Sequence, residues 1–179
     1  MFSEAFFASI HPMVVHFPIA LLTVYALLEL IPFKKVVSDP RWILAKRVLL
    51  FVGTFGIFVA LSSGEERGGE NLEPGTVLAY HSLFATITTW IFGLLAGSQF
   101  VMTVTVWVTR FVTKREWLYV IWKIIERIAR IISLRPILII ASITGLITLT
   151  ITGALGGGMV FGPEADPMVS FIFNVLKLK

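Results

Sequence analysis

Long apolar runs dominate this chain and alternate with short polar connections. Four of the runs are long enough to cross a bilayer as helices, which takes about 20 residues each. They cover residues 13–33, 42–63, 77–108 and 137–160. The pattern therefore predicts an all-α membrane protein, a bundle of four transmembrane helices that forms a single domain over residues 1–179.

Residues 114–134 follow a different pattern. Apolar and charged positions alternate there with helical spacing, so that Trp117, Ile121 and Ile128 share one face and Lys123 and Arg127 another. Such a basic amphipathic helix is expected in the lipid headgroup region. The alternative is a third helix that projects from the membrane and continues into this segment. The tail, residues 168–179, is too short to span and is predicted to be a surface helix or a contact with a partner.

Composition supports lipid as the solvent. Of the 179 residues, 56% are hydrophobic and 15% are charged, with a mean hydropathy of +0.88. A soluble domain of this size cannot bury so much apolar surface. The absence of cysteine excludes disulfides, thiolate nucleophiles and a covalently attached c-type haem. The first ten residues, MFSEAFFASI, lack a basic region, which favours a retained N-terminus over a cleaved signal peptide.

The cations are distributed unevenly among the connections. Five of the fifteen Lys and Arg residues lie in residues 34–47 and seven in residues 110–135, whereas most acidic residues lie in the other connections. The positive-inside rule makes the first group cytoplasmic. We therefore expect a multi-pass protein of the cytoplasmic (inner) membrane with both termini extracytoplasmic. Cations placed between apolar runs do not form a nucleic-acid patch, so nucleic acid is not an expected partner.

This topology places all three histidines at the extracytoplasmic face. His11 and His16 belong to the first helix and His81 to the start of the third. Two imidazoles at matching depth on separate helices can ligate a haem iron from both sides of the porphyrin. We therefore predict that His16 and His81 bind one haem b, with Pro18 kinking the first helix to re-aim His16. His11 would be a supporting group, an alternative axial ligand or a quinone contact.

Other interpretations of these residues stay open. The histidines can serve as interfacial hydrogen-bonding groups, and Pro12 suits the first turn of a helix. The small residues near them, including the G-x-x-x-G of residues 93–97, are as typical of direct helix packing as of a cofactor cleft. A zinc site with Glu65 or Glu66 lacks supporting ligand spacing. Glu29 is most simply a snorkelling carboxylate near Lys34.

The segment HPMVVHFPIAL, residues 11–21, closely resembles the opening helix of a bacterial family of predicted four-helix membrane proteins classed as a domain of unknown function. The resemblance extends to His81 in AYHSLF and to TGALGGGMV, residues 152–160. Some relatives are fused to or encoded beside c-type cytochrome modules, which implies respiratory electron transfer. Two features depart from the family pattern: the basic amphipathic insert, and a last helix without histidine, which excludes two bis-histidine haems.

The leading expectation is a b-type cytochrome-like electron-transfer subunit that exchanges electrons with a c-type cytochrome or a quinol. The alternative is a cofactor-free accessory or scaffold subunit of a larger respiratory or photosynthetic membrane complex. A small transporter ranks last because the sequence lacks internal repeats and pairs of broken helices. No catalytic residue is predicted, and whether the protein is an enzyme stays open.

Overall fold

The computed structural model describes residues 4–33, 38–68 and 76–178, and every regular element in these ranges is helical. Helix α1 covers Glu4–Glu29, α2 Pro40–Gly68, α3 Val77–Val112, α4 Glu116–Ile132, α5 Arg135–Phe161 and α6 Pro167–Val175. The all-α prediction is confirmed. Three helices, α2, α3 and α5, are long and apolar enough to cross a membrane, and α1 contributes a shorter apolar stretch, Met13–Glu29.

Helices α1, α2, α3 and α5 pack in a ring in which each neighbour runs antiparallel to the next. His11 meets Ser63 and Glu29 meets Lys46, which gives α1 and α2 opposite directions. The same holds for α3 and α5, where His81 reaches Thr152. Helices α1 and α3 lie diagonally across the ring, and Tyr25 and Phe92 meet edge to face between them. The core is built from these two aromatic residues and a set of aliphatic side chains: Leu22, Leu50, Ile57, Leu95, Ala96, Leu138 and Leu149.

Glycines bring the helices close together at several positions. A Cβ on Gly53 would lie 2.7 Å from the Leu22 side chain, and one on Gly145 would lie 2.8 Å from Phe92. The packing interpretation of the small residues is confirmed at these positions. It is wrong for the G-x-x-x-G motif, because Gly93 and Gly97 have no atom within 4 Å of a Cβ and instead border an apolar groove beside α4.

The first helix begins earlier and ends earlier than predicted, at Glu4 and Glu29 in place of residues 13 and 33. Pro12 therefore lies well inside the helix, and its predicted place in a first helical turn is wrong. Lys34 lies outside the described residues. Glu29 is paired with Lys46, so its predicted role as a carboxylate snorkelling near Lys34 is replaced by a buried ion pair.

Helix α4 packs lengthwise against α3 in the opposite direction. Trp122 donates its indole N–H to Thr109, and further along Ile125, Ile128 and Ile132 border Gly97 and its neighbours on α3. Helix α3 has 36 residues, about 54 Å at 1.5 Å per residue, and exceeds the hydrocarbon core of about 30 Å. This length is compatible with a third helix that projects from the bilayer and continues into α4, and the position of α4 relative to the lipid headgroups stays a prediction.

The chain ends in a short helix that covers the end of α5. Asp166 caps α6 by accepting hydrogen bonds from the backbone of Met168 and Val169, at 2.7 and 3.0 Å. The buried face of α6, which includes Val169, Ile172 and Phe173, packs against Ala154 and Leu155 of α5. The tail therefore forms a short helix that packs on α5, and its predicted contact with a membrane surface or a partner stays a prediction.

Candidate functional site

The end of the ring that carries His11, His81 and Gly156, here called the histidine end, holds the predicted site. His11 is half-buried, and its Nδ1 lies 2.7 Å from the hydroxyl oxygen of Ser63 on α2. The Ser63 hydroxyl donates to the carbonyl of Ala60 at 2.8 Å, so its oxygen accepts from His11. This bond requires the proton on Nδ1 and joins α1 to α2.

His81 makes an equivalent connection between α3 and α5. Its Nδ1 lies 3.0 Å from the carbonyl oxygen of Thr152, which can only accept, so Nδ1 carries the proton and Nε2 is an acceptor. The ring also lies against Gly156, where an added Cβ would be 3.3 Å from Cε1. Metal-bound histidines commonly donate their second N–H to a backbone carbonyl, and the Nδ1 bond of His81 has that form.

The structure does not turn His16 toward His81. Pro18 is buried against Gly56 of α2, and His16, two residues earlier, is exposed on the opposite side of α1. A kink at Pro18 therefore does not direct His16 into the ring. Ile19 contacts Gly153 on the turn of α5 that His81 also meets, so the two histidines differ in depth by about one helical turn. The two imidazoles are therefore about one turn apart in depth and lie on different faces, and their shared ligation of an iron stays a prediction.

The glycine-rich end of α5 is the common contact of three other helices. Gly153 meets Ile19 of α1, Gly156 meets His81 of α3, and Gly158 meets Phe173 of α6. Gly157, between the last two, has nothing within 4 Å of a Cβ position. The predicted TGALGGGMV feature is therefore a packing surface at three of its four glycines.

A metal-only site at the histidine end receives no support from the part of the chain that the structure describes. Within these ranges no three His, Asp or Glu side chains come together in a way that could hold an ion. The side chains of Glu65 and Glu66, which the zinc alternative needs, lie outside the described side chains.

A second polar site, which sequence reasoning missed, lies at the opposite end of the ring. We call it the basic end, marked by Lys46, Arg47 and Arg135. There the Lys46 ammonium lies 2.7 Å from the Glu29 carboxylate, and the two residues are only 8% and 7% exposed. Arg135 ties the end of α1 to α5 by donating to the carbonyl of Ile31 at 2.9 Å. A buried ion pair between two helices is costly unless its geometry is good, so it marks a specific structure.

A cavity of about 240 Å³ opens beside this ion pair. Helices α1, α2, α3 and α5 and the α4–α5 connection all contribute to its wall, which consists of Tyr25, Glu29, Ile43, Lys46, Arg47, Leu50, Gln99, Met102, Ser133 and Leu138. The signal that could have located it was the opposite charge of Glu29 and Lys46 in two consecutive apolar segments. An antiparallel pairing of those segments places the two side chains together.

Comparisons with known proteins give one family. The sequence profile of the family described as "Predicted membrane protein (DUF2231)" matches residues 8–165. The comparisons with curated proteins and with solved structures give no match.

Proposed function

The chain belongs to this family of predicted membrane proteins, DUF2231, and we propose that it is an accessory subunit of a larger complex in the cytoplasmic membrane. In this proposal α1, α2, α3 and α5 all span the bilayer. Helix α1 has 26 residues, about 39 Å, although its apolar stretch Met13–Glu29 is shorter. The positive-inside rule supports a cytoplasmic basic end and extracytoplasmic termini.

The observation that carries this proposal is the apolar surface of the α3–α4 hairpin. Gln99 donates to Ser133 and accepts from Arg47, so a polar layer crosses the basic end at this level. Helix α3 continues past Gln99 for thirteen more residues, to Val112, and α4 returns beside it. In the proposed topology this hairpin stands on the cytoplasmic side of the hydrocarbon core.

Large apolar side chains on the hairpin are exposed. Between 48% and 74% of each of the following side chains is accessible: Trp107, Phe111, Trp117, Ile121, Ile124 and Ile128. Exposed apolar patches of this kind mark interaction sites, because water would otherwise cover them at a cost in free energy.

The two helices direct their exposed apolar rows to the same side. At 100° per residue, the row of Trp107 and Phe111 lies roughly a quarter turn from the α3 face that borders α4. On α4, the row of Ile121 and Ile124 also lies roughly a quarter turn from the face that borders α3. Both rows are displaced in the same rotational direction when each helix is viewed along its own axis from its N-terminus. Because the helices are antiparallel, equal offsets bring both rows to one side of the hairpin and make one continuous apolar surface.

Charge indicates the chemistry of the partner. The hairpin also carries the cations Arg110, Lys114, Arg115 and Arg127, in addition to Lys123 and Arg130, which pair with Glu126. We therefore propose as occupant another subunit that presents an apolar helical face bordered by carboxylates, since such a surface matches both the apolar rows and the cations.

The test is site-specific photo-crosslinking in the native membrane. A crosslinker at Ile121 should join one partner protein, whereas the same group at Arg127, on the polar face of α4, should not. The Ile121→Glu variant should then be released from the purified complex while keeping its helical content. Crosslinks from Ile121 to lipid alone, or to a second copy of this chain, would refute the accessory-subunit proposal in this form.

A second candidate function is the b-type cytochrome-like role, with one haem b near the extracytoplasmic face and a c-type cytochrome or quinol as redox partner. The specific observation in its favour is the Nδ1 bond of His81 to Thr152, which leaves Nε2 as the ligating atom. The exposed position of His16 is unfavourable, because the pair needs both imidazoles on one iron. His11, bonded to Ser63, is the other ligand to test.

A spectrum decides between the two candidates. The haem proposal expects a Soret and an α band in the reduced-minus-oxidised spectrum and haem in a pyridine hemochrome assay. The bands should disappear in His81→Ala and persist in a variant of an exposed residue such as Thr103→Ala. A colourless protein purified from haem-replete cells would refute haem binding and leave the accessory role unaffected.

A further inference from the structure

The cavity at the basic end has the features of a ligand site. Its volume of about 240 Å³ compares with roughly 30 Å³ for one water molecule in the liquid, so it is large enough for a small headgroup. Tyr25, a residue only 1% exposed, belongs to its wall. Its hydroxyl lies near Glu29 and Ser142, but neither contact in the described residues has the geometry of a hydrogen bond. A buried polar atom left in this state is rare and points to a missing partner.

The other polar groups of the wall form a directed chain. Arg47 donates its Nε–H to the Gln99 carbonyl at 3.2 Å, and the Gln99 amide donates to Ser133 at 3.2 Å. The two terminal nitrogens of Arg47 take no part in this bond, and the Ser133 hydroxyl, already an acceptor, keeps its own proton to donate. Together with Tyr25 these groups offer the cavity donors.

The net charge of the wall, like its hydrogen-bond donors, favours an anionic ligand. Lys46 and Arg47 contribute two cations and Glu29 one carboxylate, so the wall carries one net positive charge. Apolar side chains complete it, among them Leu50, Met102 and Leu138. A wall of donors with one excess positive charge fits a monoanion that has an apolar part.

We propose that this cavity binds the phosphate of an anionic phospholipid or of a soluble phosphate ester, held by Arg47, Ser133 and Tyr25. The arginine provides the charge-assisted hydrogen bonds, and the two hydroxyls complete the coordination of the phosphate oxygens. The site is independent of the hairpin surface and of the histidine end, so it stands whether or not either candidate function is correct.

The experiment measures lipid retention by native mass spectrometry on the delipidated full-length protein. Dioleoyl phosphatidylglycerol is added in competition with dioleoyl phosphatidylcholine, which carries a phosphate without net charge. We expect one phosphatidylglycerol per chain, retained about tenfold better than phosphatidylcholine. Equal retention of the two lipids would overturn the proposal.

Two variants and one control locate the binding. Arg47→Gln should weaken phosphatidylglycerol binding by about tenfold, and Arg127→Gln, which removes an exposed cation of α4, should leave it unchanged. Tyr25→Phe removes a hydroxyl that makes no hydrogen bond in the described structure, so it should weaken binding severalfold without lowering the thermal stability. Wild-type binding by both Arg47→Gln and Tyr25→Phe, or an equal loss in Arg127→Gln, would contradict the site.

A competition arm identifies the source of the phosphate. Glycerol 3-phosphate at millimolar concentration should displace the lipid if the site takes a soluble ester, and should have no effect if it takes a headgroup with its acyl chains. Either result agrees with phosphate recognition by Arg47, provided that the competition or the lipid binding is lost in Arg47→Gln. Retention of both in that variant would refute it.

Discussion

Replacing Lys46 by methionine tests how the buried ion pair stabilises the ring. The change removes the ammonium that lies 2.7 Å from the Glu29 carboxylate and leaves that carboxylate in a setting where only 7% of its residue surface is accessible. Breaking a buried pair by removing one partner lowers the free energy of unfolding by about 3–5 kcal/mol. For a chain of this size each kcal/mol corresponds to about 2–4 °C, so Lys46→Met should lower the Tm by roughly 6–20 °C.

The double replacement Glu29→Leu with Lys46→Met is the control that separates the loss of charge pairing from the loss of packing. An apolar pair of similar volume is often neutral or stabilising relative to a buried ion pair, so the double variant should recover most of the lost Tm. Arg127→Met removes an exposed cation and should change the Tm by no more than about 2 °C. Thermal unfolding followed by circular dichroism in detergent measures all three.

The reasoning fails if Lys46→Met unfolds at the wild-type temperature, because the carboxylate would then not depend on its partner. It also fails if the double variant is as unstable as the single one. That second result would mean that the aliphatic part of the Lys46 side chain, and not its charge, holds α1 against α2.

Three further predictions concern local contacts outside the ion pair. Gly158→Ala should lower the free energy of unfolding by about 1–3 kcal/mol, because the added Cβ would meet the Phe173 ring of α6. Gly157→Ala, which meets nothing, should be neutral or slightly stabilising, and equal effects of the two changes in thermal unfolding would contradict the packing account. Asp166→Ala removes the cap of α6 and should cost about 1 kcal/mol, seen as faster amide exchange confined to α6. The hydrogen bond from Lys123, together with one from Arg130, holds the pKa of the Glu126 carboxyl below its ordinary value of 4.5. The ionised carboxylate therefore stabilises the fold above pH 4.5, and this stabilisation is lost as the pH falls through the lowered pKa. The protection factors of the α4 amides, which correct for the intrinsic exchange rate at each pH, should therefore fall below pH 4.5 in the wild type. Glu126→Gln should remove this fall, and an unchanged fall in that variant would refute the assignment.

Length and apolar composition were sufficient to predict the three longest helices, α2, α3 and α5. The predicted runs 42–63, 77–108 and 137–160 differ from α2, α3 and α5 by at most five residues at each end, and the start of α3 is the same. The first helix was misplaced because Glu29 was assigned to the interior of the run and the residues before Pro12 were excluded from it. Proline lacks one backbone donor but does not end a helix that tertiary contacts hold on both sides.

The rotation of each helix about its own axis could not be predicted from the sequence. In a soluble helix the polar face identifies the exposed side, but α1 is apolar on nearly all sides because lipid and protein interior are equally apolar. Nothing in the pattern therefore distinguished the buried face of Pro18 and Leu22 from the exposed face of His16. Topology predicted only the end of the ring at which His16 lies, whereas the direction in which its side chain faces depends on the packing of Pro18 against Gly56.

The two ends of the ring differ in how their polar groups are satisfied, and that difference indicates where a ligand belongs. At the histidine end the Nδ1 atoms of His11 and His81 are bonded across helix pairs, so both imidazoles already have a structural role. At the basic end the hydroxyls of Tyr25 and Ser142 are buried without a hydrogen bond in the described residues, next to an ion pair and a cavity. Satisfied groups stabilise a fold, whereas orphaned ones beside a cavity require a partner from outside it. The orphaned hydroxyls therefore direct the search for a small-molecule ligand first to the basic end, while haem ligation through Nε2 of His81 stays a prediction.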